Sequence, residues 1–97
     1  MRVSPLPLFL PLKTEFFNAF AAGEKSVEYR RYGARWNEQT CVPGRRVTLS
    51  CGYGTMRRLS GVITEFEVRA LSEVAVAQHL YAPPCEIACI HIKVAHG

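Results

Sequence analysis

The sequence predicts an α+β fold, a small mixed β-barrel with two short flanking helices. Five short apolar or alternating segments read as strands, and two amphipathic segments fall among them as helices. Short strands with helices clipped between them suit a small barrel better than a doubly wound sheet. The 97 residues suffice for one modest core and not for two. No repeat, linker or low-complexity tract divides residues 1–97, which are expected to form a single domain.

The first strand is "LFLPLK" (8–13), apolar and extended, where Pro11 favours an edge or a bulge. Thr14 is placed to cap a helix over "EFFNAFAA" (15–22), with Glu15 in the first turn, where the helix dipole favours an acid. Phe16, Phe17 and Phe20 share one face of that helix, and Gly23 stops it at a left-handed position. A short strand follows within "GEKSVEYR" (23–30). The segment "RYGARWNEQTCVPG" (31–44) reads as a long loop closed by a Pro-Gly turn. In "RRVTLSC" (45–51), Val47, Leu49 and Cys51 alternate onto one face. After a turn at "GYGT" (52–55), a longer strand spans about 57–68, with Val62, Phe66 and Val68 on one face and Gly61 as a bulge. Ser72 is placed to cap a second helix, "EVAVAQHL" (73–80), and Pro83-Pro84 prevent its continuation. "EIACIHIKV" (86–94) closes the fold with Ile90, Ile92 and Val94 on one side.

Composition narrows the class. Apolar residues make up 48% and charged residues 21%, an ordinary soluble balance. No apolar run approaches the ~20 residues of a membrane helix. The opening "MRVSPLPLFLPLK" is interrupted by Pro5, Pro7 and Pro11 and is followed by no small-residue cleavage site, so a mature N-terminus and a cytoplasmic protein are expected. Cys41, Cys51, Cys85 and Cys89 lack C-x-x-C spacing. Cys85 and Cys89 would lie about 13 Å apart on a strand, too far for one zinc without a bend. Reduced, partly buried thiols are expected. His79, His91 and His96 make no convincing cluster, and His91, flanked by Ile90 and Ile92, reads as a satisfied barrel histidine. No metal or cofactor is expected.

Charge is unevenly distributed. Between Arg30 and Arg58 lie seven arginines (30, 31, 35, 45, 46, 57 and 58) against one acid, Glu38. Tyr29, Tyr32, Trp36 and Tyr53 are interleaved with them. Arginine grips phosphate with a planar fork and stacks on bases, and aromatic rings give bases a platform. Trp36, between arginines in a loop, is expected to be exposed for such stacking. The alternative for the whole stretch is a solvated basic face.

Within "GEKSVEYR", Val27 and Tyr29 point one way from the strand, and Ser26, Glu28 and Arg30 the other. Lys25, in the joint after Gly23, can swing to the polar side. Lys25 and Glu28 are expected within salt-bridge reach, partly exposed at the mouth of a pocket. Converging opposite charges prepare a group for chemistry or binding. They serve equally as a structural ion pair pinning helix to strand.

The pattern G-x-K-x-x-E-x-R (Gly23, Lys25, Glu28, Arg30), after a short helix and before a long loop, a Pro-Gly turn and an alternating strand, resembles the ASCH (activating signal cointegrator homology) domain. The resemblance runs from about Leu8 to Val94. It implies a PUA-like barrel with a groove lined by Lys25 and Glu28 that binds RNA or nucleosides. Similar small relatives are amidohydrolases acting on N4-acetylcytidine, which pair the motif lysine with a threonine three residues on and a later glutamate. Here position 28 is Glu, and Glu73 is the loose counterpart of the later carboxylate.

The function expected is therefore an RNA- or nucleotide-binding module. Lys25, Glu28 and Arg30 would lie in the groove, and Arg31, Arg35, Trp36, Arg45, Arg46, Arg57 and Arg58 would face the nucleic acid. A monomer is the expected state, with no membrane partner. The alternatives are an enzyme or a protein-interaction module with an acidic partner. As an enzyme it would be an amidohydrolase of N4-acylated cytidine or a metal-independent ribonuclease, with Lys25, Glu28 and Glu73 as catalytic candidates. The absence of Asp argues against two-metal nuclease chemistry.

Overall fold

Five strands, Leu8–Leu12 (β1), Val27–Arg31 (β2), Arg46–Cys51 (β3), Arg58–Ala70 (β4) and Glu86–Val94 (β5), form one curled mixed sheet in the order β1-β3-β4-β5-β2. This is a computed structural model, and it describes residues 6–54 and 56–95; Pro5, Thr55 and His96 lie outside them. The β1–β3 pair is parallel, and the other pairs are antiparallel. No helix among the described residues is long and apolar enough to cross a membrane. The α+β expectation stands in the form of a half-barrel flanked by one α-helix, Thr14–Ala21 (α1).

Pro11 takes the edge position its chemistry demands. A residue in a strand points its N and C=O to the same side, so a proline must turn that side away from the ladder. Pro11 is aligned with Ser50 of β3, and its carbonyl accepts a hydrogen bond from Arg30 of β2 instead. In α1, Phe17 and Phe20 are buried and Phe16 packs against the same core. Thr14 is not the cap expected of it. Lys13 holds the N-cap position with extended backbone and no side-chain cap, and the Thr14 hydroxyl lies 3.5 Å from the Cys51 sulfur.

The sheet serves two cores. Inside the curl, Leu10, Leu12, Val47, Leu49, Ile63, Ala88, Ile90 and Ile92 pack with the α1 phenylalanines. On the outer face, Ile87 and Cys89 pack beneath Leu71, Val74 and Ala77. β5 is therefore buried on both sides, which is why its sequence reads as a nearly continuous apolar run.

The expected second helix is replaced by two 3-10 turns, Leu71–Glu73 and Ala75–His79, separated by Val74 in extended backbone. The buried residues explain this. Leu71, Val74 and Ala77 recur every third position, the period of a 3-10 helix, whose i and i+3 side chains eclipse. In an α-helix the same three positions would drift by about 60° per step across the face, and the extended residue at Val74 lets the chain correct that drift.

β4 carries a second correction. Its irregularity lies between Ile63 and Glu65, not at Gly61. One extra residue there reverses which side chains face inward. Leu59, Gly61 and Ile63 face the inner core before the bulge and Phe66 after it, so Val62 does not share a face with Phe66. Gly61 is needed for a different reason. A Cβ at this position would sit 2.8 Å from the Lys93 carbonyl oxygen and 3.0 Å from an Ile92 methyl. Gly61→Ala should lose about 1–3 kcal/mol, the usual cost of forcing a methyl into a filled core. Urea unfolding of the two proteins checks this, and an unchanged midpoint would show that the strands can part at Gly61.

Candidate functional site

Lys25 owes its place to the end of α1. Gly23 has φ +77°, and its N–H donates to the Phe20 carbonyl while the Glu24 N–H donates to that of Ala19. That pair of bonds is a Schellman turn, which stops the helix and turns the chain into β2. The Lys25 N–H also reaches the Ala19 carbonyl. Its side chain then folds back over the helix. The ammonium lies 5.3 Å from the Phe16 ring centroid, 5.5 Å from that of Phe20 and 5.1 Å from that of Tyr29. Three aromatic rings thus surround one cation.

Glu28 stands between two cations. Its Oε1 is 3.7 Å from the Lys25 Nζ, and its Oε2 accepts from the Arg30 Nε at 2.9 Å and lies 2.8 Å from Nη2. The expectation of a partly exposed pair needs correction at Glu28, which is 6% exposed. It faces the inner side of the sheet, where a carboxylate is tolerated only because both neighbours are cationic. The Arg30 Nη2 donates to the Pro11 carbonyl at 2.7 Å, and its guanidinium lies 4.9 Å from the Trp36 ring. Arg30 is a clamp. Lys25 is the more accessible member, and its contact with Glu28 is the longer one.

These residues border an open cavity of about 680 Å³. Lys13, Lys25 and Arg30 bring positive charge to its wall against one carboxylate, Glu28. Phe16, Tyr29 and Tyr81 supply aromatic surface, and Val76, His79 and Leu80 close one side. The Tyr81 hydroxyl donates to the Tyr29 carbonyl, tying that side to β2. The volume is that of a small-ligand pocket. Lys13, Phe16, His79 and Tyr81 were not anticipated from the sequence. The two helix-flanking residues were legible in principle, because the turn that delivers Lys25 also brings the face of α1 to it.

The arginines do not converge there. Among those expected at the site, Arg30 is the one lining this cavity. Arg35 lies 5.1 Å from the Trp36 ring, which Arg30 also approaches. Arg45 donates to the carbonyls of Thr40 and Leu6, and Arg57 donates to Asn18 while lying over Phe17. Arg58 lies over Phe9, and Arg31 and Arg46 are exposed. Trp36 is a clear correction, being 9% exposed and part of the inner core. Its loop is held inward by Asn37, whose side chain bonds the carbonyls of Gly33 and Ala34 and the N–H groups of Gln39 and Thr40. A base cannot stack on a ring already covered by protein. Glu73 is likewise not beside Lys25. Its carboxylate accepts from the Ala70 N–H at the start of a 3-10 turn, and it lines a second cavity on the outer face.

His91 is satisfied, as expected, by a hydrogen bond to Glu67. Glu65 joins them through the β4 bulge, a feature that leaves no compositional trace. Comparison with family models, curated proteins and solved structures finds no match to this chain.

Two expectations follow from this geometry. Arg30→Met leaves buried Glu28 with only its longer contact, to Lys25 at 3.7 Å, so stability should fall by an amount approaching the ~3–5 kcal/mol of a broken buried pair. Denaturant unfolding checks this, and a loss under about 1 kcal/mol would place the pair among ordinary surface salt bridges. Burial holds the Lys25 pKa below its ordinary 10.5, a lowering that Glu28 opposes and Arg30 reinforces. Between the lowered value and 10.5 the unfolded chain binds more protons, so this group's contribution to stability rises with pH across that window. The stability difference between wild type and Lys25→Met should therefore be level near neutrality and shift in favour of wild type as pH climbs toward 10.5. A shift in the other direction would mean that attraction to Glu28 outweighs burial.

Proposed function

We propose that this chain is an RNA- or nucleotide-binding module of the ASCH type, with a PUA-like half-barrel as its frame and Lys25 as the principal contact in its cavity. What carries this reading is the Lys25 ammonium, caged by three aromatic rings and held by Glu28 on the wall of a nucleotide-sized cavity. A flat heteroaromatic ring would find Phe16, Tyr29 and Tyr81 beside it, and a phosphate or carbonyl would find Lys13 and Lys25. Arg30 and Glu28 belong to the frame that positions Lys25. The exposed arginines outside the cavity, Arg31 and Arg58 among them, would meet the phosphates of a longer strand.

One observation favours a second reading, hydrolysis of an amide on a modified base. Burial eases deprotonation of Lys25 relative to a solvated lysine, which suits a general base on the wall of the cavity. Its charged form can instead steady an oxyanion.

Calorimetric titration with a pyrimidine nucleoside monophosphate and with short single-stranded RNA tests the first reading. Lys25→Ala should weaken both by about tenfold or more, ~1.4 kcal/mol. For the RNA, Arg31→Ala and Arg58→Ala should each flatten the plot of log affinity against log salt by about 0.7. No RNA or nucleotide affinity at low salt would overturn the binding reading. Turnover of N4-acetylcytidine, abolished in Lys25→Ala and indifferent to the two arginine changes, would establish the second.

A further inference from the structure

We propose that the outer face of the sheet carries a divalent transition-metal site formed by Glu65, Glu67 and His91. The β4 bulge builds it. Glu65 and Glu67 stand two residues apart, and the shifted register turns both away from the inner core. Glu65 comes directly opposite His91, and Glu67 opposite Cys89, so the imidazole projects between two carboxylates. The His91 Nε2 lies 2.9 Å from the Glu67 Oε2 and 3.7 Å from the Glu65 Oε2, and all three donor atoms lie within 4.8 Å of one another.

Ligands bound at ~2.0–2.2 Å from one metal stand roughly 2.8–3.6 Å apart, for square or tetrahedral angles. The distance from His91 to Glu67 falls within that range, and the distance to Glu65 lies just beyond it. Glu65 is 63% exposed and free to close the remainder by rotating about its own side chain. One imidazole and two carboxylates offer a neutral nitrogen and two negative charges, a donor set suited to zinc or manganese rather than to a soft thiophilic ion.

The surrounding residues fit the role. Arg69 holds the other oxygen of Glu67, Oε1, at 3.0 Å and leaves Oε2 directed at His91. Arginine thereby orients the carboxylate from outside, as outer-shell partners do at metal centres. Glu67 and His91 also line the second cavity, of about 380 Å³, with Tyr29 and Val74. Three protein donors leave coordination positions open, and this cavity gives a small ligand access to them. The site draws on neither Lys25 nor Glu28, so it stands independently of the nucleotide-binding reading.

Calorimetry with Zn²⁺ and absorption spectroscopy with Co²⁺, on the reduced full chain, test this site. One ion should bind per chain, and the cobalt spectrum should lack the near-ultraviolet thiolate band that capture by Cys51, Cys85 or Cys89, which lines the same cavity, would give. Glu65→Gln, a change at an exposed side chain, should weaken binding about tenfold or more, as should His91→Ala. Arg69→Ala should weaken it by about 10–100-fold through loss of the orienting contact. Lys25→Ala should leave it unchanged. Absence of binding up to millimolar metal would overturn the proposal. Affinity indifferent to Glu65→Gln, or a thiolate band in the cobalt spectrum, would overturn it equally.

Discussion

The two edges of the half-barrel are tied by a side chain rather than by a ladder. β1 and β2 are the two edges of the curled sheet, and no strand pairing joins them. Arg30 does so instead, reaching from β2 to the Pro11 carbonyl on β1 while gripping Glu28 and resting on Trp36. Each feature of the guanidinium is used. Its fork engages a carboxylate and a carbonyl at once, and its flat face covers an indole, which an ammonium could not do. The long loop is drawn into the same arrangement, because Trp36 must stay inward to offer that face. Lys25 then inherits a fixed partner, since Glu28 is immobilised from its other side.

How much of this was legible follows from how local each cause is. Gly23, Pro11 and the alternation of Val47 and Leu49 act within a few residues, and the sequence reading placed them correctly. The 3-10 turns were written in the three-residue spacing of Leu71, Val74 and Ala77, but the apolar run over 73–80 also fits a short α-helix. Packing against Ile87 and Cys89 decides between them. The bulge was not legible at all. Glycine drew attention to position 61, yet the extra residue sits between Ile63 and Glu65, where register with β5 decides it.

The site was half legible for a related reason. Lys25, Glu28 and Arg30 stood out as charges on a short strand, and they do come together. Their division of labour did not stand out, because it depends on Pro11 and Trp36, distant in sequence. The arginine-rich stretch misled in the opposite way. Its charges are close in the chain but are dispersed by the fold, Arg45 onto the Thr40 carbonyl, Arg57 onto Asn18 of α1 and Arg58 over Phe9 of β1. Density along a sequence is not density on a surface.

The Arg30–Pro11 contact has a bearing on how copies of this chain meet one another. A sheet edge is ordinarily a template on which another strand can form, and proteins in which it stays open tend to stack through it. Here the outward side of β1 presents at Pro11 a ring nitrogen with no hydrogen to give and a carbonyl already taken by Arg30. An incoming strand would find its bonds denied at the fourth residue of a five-residue edge. The residue that draws the sheet into a half-barrel thereby also guards it against growing into a longer sheet.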